Sequence, residues 1–99
     1  MLYIGICDDD EGVCAELERM LYDYAEQNKI QMDIDIWHRG ESLCRFLREK
    51  EQISDVLFLD IELLTTNGIE VGRFIREEQE NMETAIVYIS ANSSYAMDL

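Results

Sequence analysis

Two apolar stretches of this chain end in carboxylates. Tyr3-Ile4-Gly5-Ile6-Cys7 runs straight into Asp8-Asp9-Asp10, and Val56-Leu57-Phe58-Leu59-Asp60-Ile61 carries Asp60 at its end. If both stretches are strands lying side by side and parallel, three or four carboxylates meet at one end of a sheet. Two carboxylates about 4 Å apart repel by roughly 4 kcal/mol at an effective dielectric near 20. Such a cluster must hold a proton or bind a metal. A divalent cation beside a nucleophilic carboxylate is a site for phosphoryl chemistry. Asp60 is the candidate nucleophile, because a carboxylate takes a phosphoryl group as an acyl phosphate. Asp8 and Asp9 are candidate ligands for Mg²⁺, which prefers carboxylate and carbonyl oxygens and retains waters. Ser90 follows a third apolar stretch, Ala85-Ile86-Val87-Tyr88-Ile89, and offers a hydroxyl to a phosphoryl oxygen. Ala91 leaves room beside it and adds a backbone N–H. Each residue has a plainer role when taken alone: an aspartate after a strand often caps a helix, and a strand-end serine is often structural. Their joint position at one sheet edge is what makes them a site.

The elements that would position these groups alternate along the chain. Residues 2–7 read as an apolar strand. Between Glu11 and Gln27, Val13, Leu17, Met20, Leu21 and Tyr24 recur at helical spacing, with Asp9 or Asp10 as the N-cap and Asn28 as the end. Ile30, Met32, Ile34 and Ile36 alternate with polar residues, which predicts an edge strand with one wet face. Gly40 opens a short helix carrying Leu43, Phe46 and Leu47. Residues 55–61 read as a fully buried strand, followed by a loop ending in the turn dipeptide Asn67-Gly68. A helix over about 68–79 carries Val71, Phe74, Ile75 and Glu78 on one face, and Ala85–Ile89 reads as another buried strand. Residues 93–99 begin something helical. The order βαβαβαβ with continuous apolar strands implies a parallel sheet covered by helices on both faces. Ligands of such sheets bind beyond the carboxyl ends of the strands, where Asp8, Asp9, Asp60 and Ser90 all fall.

Composition excludes several classes. The 99 residues suffice for one domain, and 47% apolar residues are enough for an ordinary core. Twenty-two acidic against 8 basic residues give a formal charge of −14 with no Lys/Arg stripe, so this segment is a poor nucleic-acid binder by itself. Most of the acids read as solvated helix surface. Cys7, Cys14 and Cys44 lack metal spacing and read as small buried hydrophobes of a reducing compartment. A basic leader and a long apolar run are both missing from the sequence, so a cytoplasmic location and no membrane partner are expected. His38, the only histidine, reads as a surface-loop residue after Trp37, a partly buried strand-end anchor.

As a set, Cys7-Asp8-Asp9, Phe58-Leu59-Asp60-Ile61-Glu62, Asn67-Gly68-Ile69-Glu70 and Ile89-Ser90-Ala91 resemble the receiver domain of bacterial two-component response regulators. The resemblance covers essentially the whole chain in order and spacing. Ile6-Cys7-Asp8-Asp9 together with Asn92-Ser93-Ser94-Tyr95-Ala96 is most similar to regulators carrying a LytTR-type DNA-binding output domain. The resemblance implies a flavodoxin-like, doubly wound parallel sheet of strand order 2-1-3-4-5. It implies that Asp60 accepts a phosphoryl group from a sensor histidine kinase. Asp9 would bind Mg²⁺ directly, Asp8 at least through water, and the backbone carbonyl of Glu62 would complete the protein ligands. Ser90 matches the switch hydroxyl of the family.

Two departures from the family pattern stand out. Leu64 occupies a position where the family usually has proline. The fifth strand, with its terminal lysine and aromatic switch partner, and the last helix are missing, so the chain reads as one C-terminally incomplete receiver domain, residues 1–99, of order 2-1-3-4 and without an output domain. Lys29 and Lys50 do not end apolar strands, so neither takes the lysine role. An uncovered fourth strand predicts a homodimer through its edge or through exchanged elements; DNA would be contacted only through an output domain.

Three functions compete. The leading one is a phosphoacceptor signalling domain, not an enzyme, that switches a partner or output surface and controls transcription. A receiver-fold interaction module without phosphoryl chemistry predicts partner binding indifferent to Asp60→Ala. A haloacid-dehalogenase-like phosphatase would use Asp8 as nucleophile and Asp10 as general acid, but the lysine and later acidic pair of that class are missing.

Overall fold

The computed structural model describes residues 1–49, 54–63, 67–79 and 81–89. Seven elements follow one another: β1 (Leu2–Cys7), α1 (Glu11–Gln27), β2 (Met32–Trp37), α2 (Gly40–Glu49), β3 (Val56–Asp60), α3 (Gly68–Glu77) and β4 (Ala85–Ile89). The four strands form one sheet of order β2-β1-β3-β4, with every neighbouring pair parallel. The expected alternation and strand order are therefore both present.

Strand periodicity divides the core in two. On one face Ile4 and Ile6 of β1 meet Cys14 of α1, with Leu17, Leu21, Ile34, Ile36, Val56 and Phe58 packed around them. On the other face Cys7, Leu57 and Leu59 meet Leu43 of α2 and Val71 and Ile75 of α3. Alternate residues of β1 and β3 thus feed opposite layers, which explains why both strands are apolar throughout. β2 keeps one wet face, with Asp33 and Asp35 exposed, as its alternation predicts.

Three expectations need correction. The inward line of α1 is Cys14, Leu17, Leu21 and Ala25, with Cys14 and Ala25 buried and the two leucines partly so, whereas Met20 and Tyr24 are 54% and 56% exposed. Both lines satisfy helical spacing, and the one that faces Ile4 and Ile6 is buried. β4 is not fully buried: Ala85 and Val87 are exposed while Ile86 and Tyr88 pack against the α2/α3 layer. Val87 pairs with Phe58, which packs on the α1 side of the sheet, yet Val87 itself is exposed. Asn67-Gly68 is not a turn of the kind that needs positive φ. Asn67 is the N-cap of α3, its side chain accepting from the Ile69 N–H at 2.7 Å, and Gly68 is the first helical residue.

The helix ends lie where their caps allow. Asp10 caps α1 by accepting from the Gly12 and Val13 N–H groups at 2.8 and 3.1 Å. At its other end the Ile30 N–H donates to the Ala25 carbonyl and the Lys29 N–H to the Glu26 carbonyl, with Lys29 left-handed at φ 55°. That is the paired hydrogen bonding of a Schellman ending, and it turns the chain back toward β2.

Candidate functional site

The parallel register sets the site. Cys7 pairs with Leu59, so the residues one step on, Asp8 and Asp60, emerge together from the carboxyl ends of β1 and β3. Asp8 and Asp60 are 5% and 7% exposed, and Asp9 is half-buried beside them. One carboxylate oxygen from each of Asp8, Asp9 and Asp60 lies within 4.8 Å of the others. This is the arrangement expected from the two strand ends.

Backbone hydrogen bonds orient the pair. The Asp10 N–H donates to Asp8 Oδ1 at 2.9 Å, and the Glu62 N–H donates to Asp60 Oδ1 at 3.1 Å. These bonds favour the ionised forms but do not prevail. Burial, opposed by the Glu62 N–H and reinforced by the charges of Asp8 and Asp9, pushes the Asp60 carboxyl up to about 7. Asp8 is raised as well, chiefly by burial and by the Asp9 charge, against the Asp10 N–H. The Asp8 carboxyl raises the proton affinity of Asp60, so their titrations are linked. The cluster answers its own repulsion with a proton, and its hard oxygen donors fit a divalent cation in the proton's place.

The other anticipated residues are distributed as follows. Glu62 lies two residues beyond Asp60, and its backbone forms an isolated bridge with Asn67 that closes the loop onto α3. Ser90, Ala91 and Leu64 lie outside the described residues. Asp10 does not join the cluster as a general acid; its carboxylate is spent on capping α1. Cys7 and Cys14 are buried as anticipated, whereas Cys44 is only half-buried; burial pushes Cys7 up to about 12 and Cys14 up to about 11, and raises Cys44.

His38 was not anticipated here. Its ring is exposed, yet Nδ1 lies 3.1 Å from the Asp8 carbonyl oxygen. The only signal is register: Cys7 pairs with Trp37, so Asp8 and His38 follow as neighbours. Trp37 itself is partly buried, its ring 5.1 Å from that of Phe46.

Residues 4–99 match the family described as the response regulator receiver domain. The chain belongs to that family. It is a receiver domain of the two-component kind, a regulatory module with the flavodoxin-like fold of its relatives. The sensory transduction protein LytT of Oceanobacillus iheyensis is 29% identical over 96 residues, which are 97% of this chain and 37% of LytT. The receiver chain thus spans well under half of that curated relative. The response regulator TrrA of Thermotoga maritima, solved in complex with Mg²⁺–BeF, superposes with a TM-score of 0.76 at 27% identity, covering 100% of this chain and 77% of TrrA. The N-terminal domain of a response regulator/sensory box/GGDEF protein from Carboxydothermus hydrogenoformans has the same fold, with a TM-score of 0.75 at 21% identity over 92% of this chain and 66% of that one. Receivers bind Mg²⁺ at an acidic pocket, and this receiver carries an acidic cluster of Asp8, Asp9 and Asp60 at its strand ends.

Proposed function

We propose that Asp60 is the phosphoacceptor of this receiver and that Asp8, Asp9, Asp60 and the backbone carbonyl of Glu62 hold Mg²⁺. The observation that carries the reading is the convergence of three carboxylates at adjacent strand ends, with Asp60 raised to about 7 by burial and by its neighbours. The Mg²⁺–BeF complex of TrrA supports the choice of metal. A bound Mg²⁺ supplies positive charge that offsets the carboxylates and the phosphoryl oxygens. Where Asp60 is protonated, that proton must leave before Asp60 can attack. An oxygen of Asp60 then forms a bond to phosphorus as the phosphorus–nitrogen bond of the kinase phosphohistidine breaks. The electron pair goes to the imidazole nitrogen, which takes a proton from solvent, and Asp60 carries the acyl phosphate. The Glu62 N–H donates to Asp60 Oδ1 and so restrains the carboxylate. Ser90 would hydrogen-bond the bound phosphoryl group, and Ala91 would leave room for it.

Intact mass after incubation with Mg²⁺ and a small acyl-phosphate donor tests this. The wild-type chain should gain one phosphoryl group, and Asp60→Asn should gain none. An adduct that survives Asp60→Asn but is lost in Asp8→Asn would sink the assignment. A chain that never takes the adduct, yet binds its partner identically as Asp60→Ala, would favour the interaction-module reading.

The wider setting follows from the same reading. The donor is a sensor histidine kinase in the cytoplasm, and likeness to LytT favours a DNA-binding output under transcriptional control. Among the described residues no helix is long and apolar enough to cross a membrane. A homodimer through the outer edge of β4, or through exchanged elements, is favoured by the 41% exposure of Val87 and by a strand that pairs only with β3 among the described residues. Sedimentation velocity should then give a dimer mass that drops on Val87→Lys; a monomer at all concentrations would refute it.

A further inference from the structure

We infer that His38 is a positioning residue for the acidic site, holding the peptide that joins Asp8 to Asp9; the inference rests on the metal-site reading above. A carbonyl oxygen only accepts hydrogen bonds, so the 3.1 Å contact from Nδ1 to the Asp8 oxygen requires the proton on Nδ1. The Cys14 thiol reaches the same oxygen at 3.3 Å and lies 3.8 Å from Nδ1. The consistent arrangement has both groups donating to the Asp8 carbonyl rather than to each other. Sulfur is the weaker donor, so the imidazole is the main restraint.

The Asp8 carbonyl belongs to the peptide unit shared with Asp9. Fixing its oxygen fixes ψ of Asp8 and φ of Asp9, and hence the relative direction of the two side chains. The β1 ladder stops at Cys7, and the first helical hydrogen bond of α1 runs from the Cys14 N–H to the Asp10 carbonyl. The Asp8-Asp9 peptide therefore lies between strand and helix and belongs to neither. On its other side the Asp8 N–H donates to the Trp37 carbonyl at 3.0 Å. Consecutive residues at the end of β2 thus grip both polar groups of Asp8, the edge strand by its backbone and His38 by its ring. Groups that orient metal ligands in this way commonly change metal affinity by about 10- to 100-fold when removed.

The test compares wild type, His38→Ala and His38→Asn, whose amide nitrogen can occupy the place of Nδ1. Imidazole ¹⁵N NMR of the metal-free wild type above pH 8 should show the Nδ1–H tautomer. Mn²⁺ affinity, read by electron paramagnetic resonance, should weaken about tenfold in His38→Ala and return to within about threefold of wild type in His38→Asn. A dominant Nε2–H tautomer would overturn the proposal. So would equal affinities of wild type and His38→Ala, or an asparagine variant no better than alanine. A wild-type chain that binds no Mn²⁺ overturns this proposal and the metal-site reading together. Wild-type binding with an indifferent His38→Ala overturns the positioning role alone.

Discussion

Metal-free protein should lose stability as the pH rises from about 4 to about 7, and Asp60→Asn should abolish most of that loss. Asp60 ordinarily titrates near 3.8 and is raised to about 7 in the folded chain. The folded state therefore holds a proton that the unfolded state releases. Its stabilising effect is complete below the unfolded value, falls away across the interval, and is gone above about 7. Each pK unit is worth about 1.4 kcal/mol. Because Asp8 is raised as well and the two titrate together, the net change is on the order of 2–4 kcal/mol, or roughly 10–20 °C in Tm for a chain of this size. Asparagine cannot ionise, so the variant should melt well above wild type at pH 8 and near it at pH 4. Millimolar Mg²⁺ should raise the wild-type Tm at pH 8 and have little effect at pH 5, where the Asp60 proton competes with the cation. Calorimetric melting of both chains across this range is the check. A wild-type Tm that is flat with pH, or an equal response of Asp60→Asn to Mg²⁺, would contradict the argument.

Gly68→Ala should be the most damaging small substitution at the site. A Cβ on Gly68 would run into the Asp60 carbonyl oxygen, with the Asp60 carbonyl carbon at 2.8 Å and Ile61 Cα at 2.9 Å. All three are backbone atoms, so relief requires the end of β3 or the start of α3 to move. The Gly68 N–H also donates to the Ile61 carbonyl at 2.8 Å, which ties the two segments together at that point. No glycine here has positive φ; close approach alone demands the residue. The expected loss is about 3 kcal/mol, with slower phosphorylation because the Asp60 carboxylate is carried by the displaced backbone. Gly72→Ala makes the informative comparison. Its Cβ would meet the Tyr88 hydroxyl, the far end of a side chain on the half-exposed β4. The ring can shift, so a loss of roughly 1 kcal/mol is expected with phosphorylation kept. Denaturation midpoints and phosphorylation rates of both variants decide it. Equal losses in the two would show that the backbone contact at Gly68 is not special.

Much of the molecule is legible in the order of its residues. Continuous apolar runs at 3–7 and 56–61 required strands buried on both faces, and their separation by amphipathic segments required parallel pairing. Asp8, Asp9 and Asp60 then had to meet, because parallel neighbours present the same ends to the same side. The caps were local chemistry too: Asp10 and Asn28 bond to backbone groups within a few residues.

Other features depend on which surfaces met. Two lines on α1 satisfy the helical period, and the position of Ile4 and Ile6 drew in Cys14, Leu17 and Leu21 and left Met20 and Tyr24 exposed. Asn67-Gly68 carries a turn signature, but the backbone of Asp60 comes so close that glycine is required inside a helix start. The Asp60 proton is likewise tertiary. An exposed aspartate would be ionised at neutral pH; burial and the arrival of Asp8 from another strand raise Asp60 to about 7. His38 has no neighbour in sequence that marks it, and only the β1–β2 register brings it to the Asp8 carbonyl. Periodicity and local hydrogen bonding act over a few residues and can be read along the chain. Burial, close approach and raised carboxyls arise between distant segments and exist only once the sheet has formed.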